Sequence, residues 1–365
     1  MRVDQFQARF DRALDPLIPD KSQPIALAAS GGGDSVALMH LIARSGAIDP
    51  QRVHVFTVDH GLRPEAAEEA STVKALSMQL GFEHKTLKWR EPKPSQARAR
   101  RARHELIAEA MRGCAAHLLL TGHTLSDNIE SFLIRARAGS GWYGLSGMGA
   151  LTASPVWPEG EGIFIARPML EFERGGVREW LQSNGLGWSD DPSNANDKYE
   201  RVRMRRLLEN ASHLETKIAS IQAKLKQLRR ARDFALAEQL GQAKIEGEAL
   251  ILPLRQSIPM EMLAQLIAFC AMAVSGTDRP PRTMKSQSAA KKFMAEPGKF
   301  TLTLGGTIIQ KSASTLRFRP ESNRRLAQDS VRIRSRLRHI CTGLAGEGTG
   351  YGKFPVMSRN EPSFS

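Results

Sequence analysis

"QPIALAASGGGDSVALMHLIARSG", residues 23–46, decides the fold. Its first part, Ile25 to Ala29, is a short apolar run of the kind that forms a buried strand. Its last part carries apolar residues at helical spacing and stops at Gly46. Between them stand Ser30, Gly31, Gly32, Gly33, Asp34 and Ser35. A loop that leaves a buried strand and opens a helix aims backbone N–H groups outward at the helix N-terminus, and so makes an anion site. The three glycines let the backbone approach a phosphate closely and adopt positive φ. Ser30 and Ser35 add hydroxyl donors. Asp34 would repel a phosphate directly, so its expected task is to hold a bridging Mg²⁺. Two better-known loops are excluded. There is no lysine for a Walker A loop, and Val36 stands where a dinucleotide fingerprint needs its last glycine. The plain alternative is a tight strand–helix turn that is merely rich in glycine.

The same rhythm runs outward from this stretch. "RVHVFTVDHG" (52–61), "FEHKTLKW" (82–89) and "AHLLLTGH" (116–123) read as strands. "EAAEEASTVKALSMQLG" (65–81), "SQARARRARHELIAEAMRG" (95–113) and "SDNIESFLIRARAG" (126–139) read as the helices between and after them. Alternation at this spacing predicts a Rossmann-like, mostly parallel sheet with helices on both faces. From residue 151 the rhythm changes to a loop or hairpin, a strand "IFIARPML", a helix "RGGVREWLQSNG" and a polar turn "SDDPSNAND". Residues 199–240 read as helical and very basic. A small α+β module follows, with the strand "ALILPL", the helix "MEMLAQLIAFCAMAV", a basic loop "DRPPRTMKSQSAAKK" and the strands "KFTLTLGG" and "TIIQKSASTLRFRP". The expected division is 1–210 for the nucleotide-binding domain, 211–245 for a basic helical segment, 246–320 for the module, and 321–365 for a tail without a clear amphipathic period.

Lysine and arginine number 52 against 38 aspartates and glutamates, a net charge of +14, which favours a polyanionic partner such as nucleic acid. The three cysteines, Cys114, Cys270 and Cys341, are far apart and suggest neither a disulfide framework nor a zinc site. The N-terminus is charged throughout, unlike a secretory leader, and no run is long and apolar enough for a membrane, so a cytoplasmic protein is expected.

Ser-Gly-Gly-x-Asp-Ser at 30–35 resembles the PP-loop of the N-type ATP pyrophosphatases. Further segments narrow the resemblance: "VDHGLRPEAAEEA" (58–70), "ARRARHELI" (99–107), "GHTLSDNIESFLIRARAGSGWYGLSGM" (122–148) and the stretch 166–205 ending in "RVRMR". In this order, over residues 24–208, they are similar to the bacterial tRNA(Ile)-lysidine synthetases. Departures occur at Asn128 and Ser131, where that family commonly has glutamine and threonine, at Val202, where it has asparagine, and at His104, where it has an aromatic residue. Each swap keeps the charged positions.

The resemblance implies ATP as co-substrate with Mg²⁺, and as partners free L-lysine and an isoleucine tRNA with a CAU anticodon. AMP first goes to the carbonyl oxygen of the wobble cytidine, and the lysine ε-amine then displaces it at C2. Ser30 to Ser35 and His123 would hold the nucleotide, with Asp34, Asp127, Glu130, Arg100 and Arg205 catalytic. Arg103, Arg201 and Arg203 would bind substrate. A homodimer is compatible with the resemblance. Asp127 and Glu130 lie three apart on one helical face and suit either a lysine ammonium or a metal. Each residue also has a plainer reading: a solvated acidic pair, a satisfied turn histidine, a solvated basic stripe. The competing functions are a PP-loop tRNA thiolase, which would call for catalytic cysteines, and a non-catalytic RNA-binding protein.

Overall fold

The computed structural model describes residues 3–61, 66–90, 95–189, 200–209, 211, 213–255, 257–277, 279–296, 298–312, 314–321 and 329–345. The chain divides into two units, residues 1–154 with 162–229, and residues 155–161 with 230–365.

The first unit opens with α1 (Val3–Leu14), whose Phe6, Phe10 and Leu14 recur every fourth residue and are buried. Phe6 packs on Phe172 and Trp180, with ring centroids 5.0 and 5.6 Å away. Charges at the other positions of α1 mask this apolar stripe in the sequence. Then come β1 (Ile25–Ala28), α2 (Gly33–Ser45), β2 (Val53–Asp59), α3 (Ala66–Gln79), β3 (Glu83–Lys88), α4 (Gln96–Gly113), β4 (Leu118–Thr121) and α5 (Leu125–Arg137). A short α6 (Trp142–Leu145) leads to β5 (Leu151–Ala153), β6 (Phe164–Ala166), α7 (Arg174–Ser183), α8 (Glu200–Glu209) and the long α9 (His213–Leu240), whose residues from 230 on belong to the second unit.

The sheet order is β3-β2-β1-β4-β6-β5. All pairings are parallel except β5 with β6, as expected of the α/β class. The central strands are buried apolar runs, as a sheet covered on both faces requires. The chain builds β1, β2 and β3 in one direction and then returns to place β4 on the other side of β1. Neighbouring strands thus send their following loops to opposite faces, and a crevice opens between the C-terminal ends of β1 and β4.

The second unit has β7 (Lys244–Glu246), β8 (Ala249–Pro253), α10 (Met260–Ser275), α11 (Thr283–Ala295), β9 (Thr301–Leu304), β10 (Thr307–Lys311), β11 (Thr315–Pro320) and α12 (Ser330–Ala345). Its sheet runs β7-β8-β11-β10-β9, antiparallel throughout. The helix α10 is apolar nearly all round and forms the centre of the core. Two expectations are corrected here. The basic loop is the helix α11, which starts after Pro280 and Pro281 and buries Ala289, Ala290 and Phe293. The tail without an apparent period contains α12, whose Ile333, Leu337 and Ile340 join the core. Its apolar residues at i, i+4 and i+7 were hidden among the arginines. In the part of α9 that belongs to the first unit, Ile218 packs with Ile129 and Leu208; in the part that belongs to the second, Leu236 and Leu240 join that unit's core. The expected polar turn at 189–197 lies, after Ser189, outside the described residues.

Candidate active site

The loop after β1 lies in the crevice. Gly31 has φ +82°, a left-handed conformation that favours glycine. The hydroxyl of Ser35 donates to Gly32 O at 2.8 Å and accepts from Ser30 N at 3.2 Å. That hydroxyl therefore shapes the loop from within, where the sequence suggested a direct phosphate donor. In the first turn of α2 the Ser35 amide donates to Gly32 O at 3.0 Å, so the start of the turn, at Gly33 and Asp34, is the part that suits an anion. Ser189 N donates to Gly31 O at 3.0 Å and fastens the chain after α7 to the loop.

The loop after β4 supplies the second wall. Thr124 caps α5, and Asp127 reaches back to it, accepting from Thr124 N at 2.8 Å and from its hydroxyl at 2.9 Å. Asp127 and Glu130 share a face, as their spacing predicts, and both are buried. Arg174, the first residue of α7, ties the cluster together. It donates to Glu130 Oε1 at 2.7 Å, to Asp127 Oδ1 at 2.7 Å and to Asp34 Oδ2 at 3.3 Å. Arg205 donates to the same Glu130 oxygen at 3.0 Å. Two bonds hold α7 in place: Leu125 N to Phe172 O at 2.8 Å and Arg174 N to Ser126 Oγ at 3.2 Å.

Arg174 escaped the sequence reading, which considered the arginines after 200 but not the one opening α7. Burial disfavours the Asp127 charge, but Arg174 and the Thr124 amide overcome it and hold the carboxyl below its usual range. Burial raises Asp34, whose arginine contact is longer and opposes this only in part. Burial opposes the Arg174 charge too, yet Asp127 and Glu130 more than compensate and raise its pKa.

A basic side faces this acidic one. Burial and the arginines Arg167, Arg201 and Arg100 push His123 down to about 4. Burial with Arg100 and Arg103 does the same to His104. Both imidazoles are therefore neutral at pH 7. His123 Nδ1 pairs with the Thr121 hydroxyl at 2.9 Å. Arg103 donates to His60 Nε2 at 3.1 Å. Asp59 accepts from Gly61 N at 2.8 Å and closes a turn. Of the arginines of α8 that the sequence singles out, Arg205 joins the acidic cluster and Arg201 lies one turn before it, near His123. Arg201 and Arg203 are both exposed, and Arg203 lies about 200° around the helix from Arg201, on a different face.

The basic residues beyond divide likewise. Arg229 lies over the Tyr143 ring at 4.7 Å and Arg232 donates to Gln265 at 3.1 Å. Lys224, Arg230, Arg279, Arg282, Lys285, Lys291 and Lys292 are exposed.

The model of the PP-loop domain family matches residues 3–212. A curated tRNA(Ile)-lysidine synthase of Hyphomonas neptunium is 41% identical over 318 residues, covering 86% of each chain. That of Methylobacterium nodulans is 34% identical over 343 residues, covering 88% of this chain and 96% of the other. Among solved structures, a U34-tRNA thiolase from Methanococcus maripaludis superposes with a TM-score of 0.51 at 14% identity. The match covers 62% of this chain and 78% of that one, a likeness of fold alone. With a PP-loop domain over more than half its length and relatives of one kind along most of the rest, the chain belongs to the tRNA(Ile)-lysidine synthase family.

Proposed function

We propose that the protein joins free L-lysine to C2 of the wobble cytidine in a CAU-anticodon isoleucine tRNA, using ATP and releasing AMP and pyrophosphate. One observation carries the reading: a phosphate loop and a buried carboxylate pair share one crevice, and Glu130 Oε2 has no hydrogen-bond partner there among the described residues. An unpaired buried carboxylate oxygen is costly and calls for a donor from a ligand. A lysine ammonium supplies that donor with the matching charge.

In the first step the cytidine O2 attacks the α-phosphorus and pyrophosphate leaves. The amides of the loop from Gly31 to Asp34 hold the departing phosphates, and Arg100 and Arg103 suit the charge that develops at the α-phosphate. His123, being neutral, offers a hydrogen bond to the nucleotide without adding charge. In the second step the deprotonated ε-amine attacks C2 and AMP departs. Asp127 and Glu130 orient the amine, and positioning dominates the rate. Arg201 and Arg203 would contact the RNA.

Asp34 fits a Mg²⁺ shared with phosphate oxygens, since its side chain is 25% exposed and lies in the loop itself. When bound, such an ion neutralises charge on the phosphates. Asp34→Asn is expected to bind ATP while losing Mg²⁺-dependent, tRNA-dependent pyrophosphate release. Normal release across a Mg²⁺ titration would remove the assignment.

The exposed lysines of α11 suit RNA phosphates. Replacing Lys285, Lys291 and Lys292 with glutamine should weaken tRNA binding and flatten its dependence on log salt by about 0.7–0.9 for each phosphate that is no longer neutralised. An unchanged slope would place the RNA elsewhere.

The thiolase alternative finds little support in the cysteines. Cys270 is fully buried in the second core, and burial pushes the Cys341 thiol up to about 12. Cys114 follows α4, where burial raises its thiol as well. Incubation with ATP, labelled lysine and tRNA tests the proposal. Label in tRNA supports ligation, sulfur incorporation supports thiolation, and RNA binding without either supports a non-catalytic binder. None of the described helices is long and apolar enough to cross a membrane, and a tRNA ligase of this kind would work in the cytoplasm.

A further inference from the structure

Arg174 stands where a cation is disfavoured. It opens α7, at the positive end of the helix dipole, and its side chain is only 14% exposed. Asp34, Asp127 and Glu130 hold it there, and Glu130 also holds Arg205. Three carboxylates against two guanidinium groups leave one unit of negative charge. Farther out, Arg178 acts on Asp34, and Glu215, itself beside Glu173, lies near Glu130 and Arg174. The residual charge has a location. Glu130 Oε2 lies in a residue 1% exposed and accepts no hydrogen bond among the described residues.

A divalent cation and a monocation ask different things of such a pocket. A metal ion held by protein groups alone needs several oxygens converging at about 2.0–2.6 Å. An ammonium needs one or two acceptors at hydrogen-bond distance and one negative charge. The carboxylates here are spread by the planar guanidinium between them, which donates in three directions. Among the described residues no three acidic, histidine or cysteine side chains converge closely enough to hold a metal. We propose that Arg174 is the positioning residue that reserves the pocket of Asp127 and Glu130 for a monocation: it offsets the charge of the cluster and keeps Asp34, Asp127 and Glu130 from chelating a divalent ion together, leaving Asp34 to share Mg²⁺ only with the phosphates of bound ATP. The proposal rests on the lysine reading of this pocket. Without Arg174, three carboxylates would face Arg205 alone, a net of two negative units, and they could close on a divalent ion that then competes with lysine.

The test uses the full chain with Arg174→Gln and Arg174→Lys. Mn²⁺ binding, without ATP or RNA, is followed by the electron paramagnetic resonance of the free ion. Lysine KM and pyrophosphate release are measured separately with tRNA. Arg174→Gln should gain one Mn²⁺ site that Glu130→Gln removes in the double variant. Its lysine KM should rise tenfold or more, should rise further with added Mg²⁺, and should move more than pyrophosphate release does. Arg174→Lys keeps the charge, so without ATP it should gain no Mn²⁺ site over the natural protein, while its lysine KM still rises because one ammonium cannot span three carboxylates. A folded Arg174→Gln that gains no Mn²⁺ site overturns the proposal, as does an equal loss of both steps at unchanged lysine KM. Should Arg174→Gln fail to fold, Arg174→Lys decides, and an unchanged lysine KM there overturns it. Failure of the lysine reading would show differently, as no lysine incorporation by the natural protein, and the Mn²⁺ measurements would still judge the charge-setting role.

Discussion

Glu130→Gln is expected to let adenylated tRNA accumulate while lysine transfer falls by about a hundredfold, a change of roughly 3 kcal/mol. The two chemical steps have opposite electrostatic needs. Adenylation develops negative charge on the departing pyrophosphate, which a nearby carboxylate cannot stabilise directly. Lysine transfer needs a cation held and then relieved of a proton, which a carboxylate suits. The proposed role of Glu130 is the second task. Its Oε1 is occupied by Arg174 and Arg205 at 2.7 and 3.0 Å, and its Oε2 is unpaired. Glutamine preserves the shape and can still accept from the arginines through its carbonyl. What it loses is the negative charge, and its amide puts a donor into a pocket already rich in donors. A single-turnover reaction with α-labelled ATP, resolving adenylated from lysine-modified tRNA, reads the two steps separately. A variant that keeps its melting temperature yet never adenylates would move Glu130 to the nucleotide site.

The phosphate loop and the carboxylate pair were legible because their signals are local. A strand, three glycines and a helix start lie within a dozen residues, and Asp127 and Glu130 are related by helical spacing alone. Arg174 was less legible because its meaning depends on tertiary structure. Residues 34, 127 and 174 come from the ends of three different strands, and only the strand order brings them together. One local sign was available. An arginine in the first turn of a predicted helix works against the helix dipole, so it implies carboxylates from elsewhere. The helices α1, α11 and α12 were missed for another reason. Their apolar stripes are narrow and interrupted by charges, and their helical state is secured by packing against a core rather than by composition. The opposite holds for α10, whose apolar run reads plainly as a buried element.

Gly122→Ala is expected to weaken ATP binding by about tenfold or more, the equivalent of roughly 1.4 kcal/mol, and to lower the melting temperature. Gly122 follows β4 and touches the phosphate loop's helix directly. A Cβ there would lie 2.7 Å from Asp34 O, 2.9 Å from Asp34 C and 3.1 Å from Ser35 N. These are backbone atoms of the first turn of α2, so no side-chain rotation relieves the contact. Either β4 or the turn must move. Overpacking of this kind costs about 1–3 kcal/mol, and here the displacement falls on the first turn of the helix proposed to hold the phosphates. It also shifts Asp34 relative to Arg174, whose bond to it is already the longest of the cluster at 3.3 Å. Nucleotide binding should therefore suffer beyond the loss of stability, while tRNA binding, carried by surface charge, should persist. Gly113→Ala is the matched control, because a Cβ there meets nothing within 4 Å. Calorimetric titration of ATP with thermal melts of both variants checks the expectation. If Gly122→Ala binds ATP and melts as the natural protein does, the close approach of β4 to the phosphate loop does not govern the site.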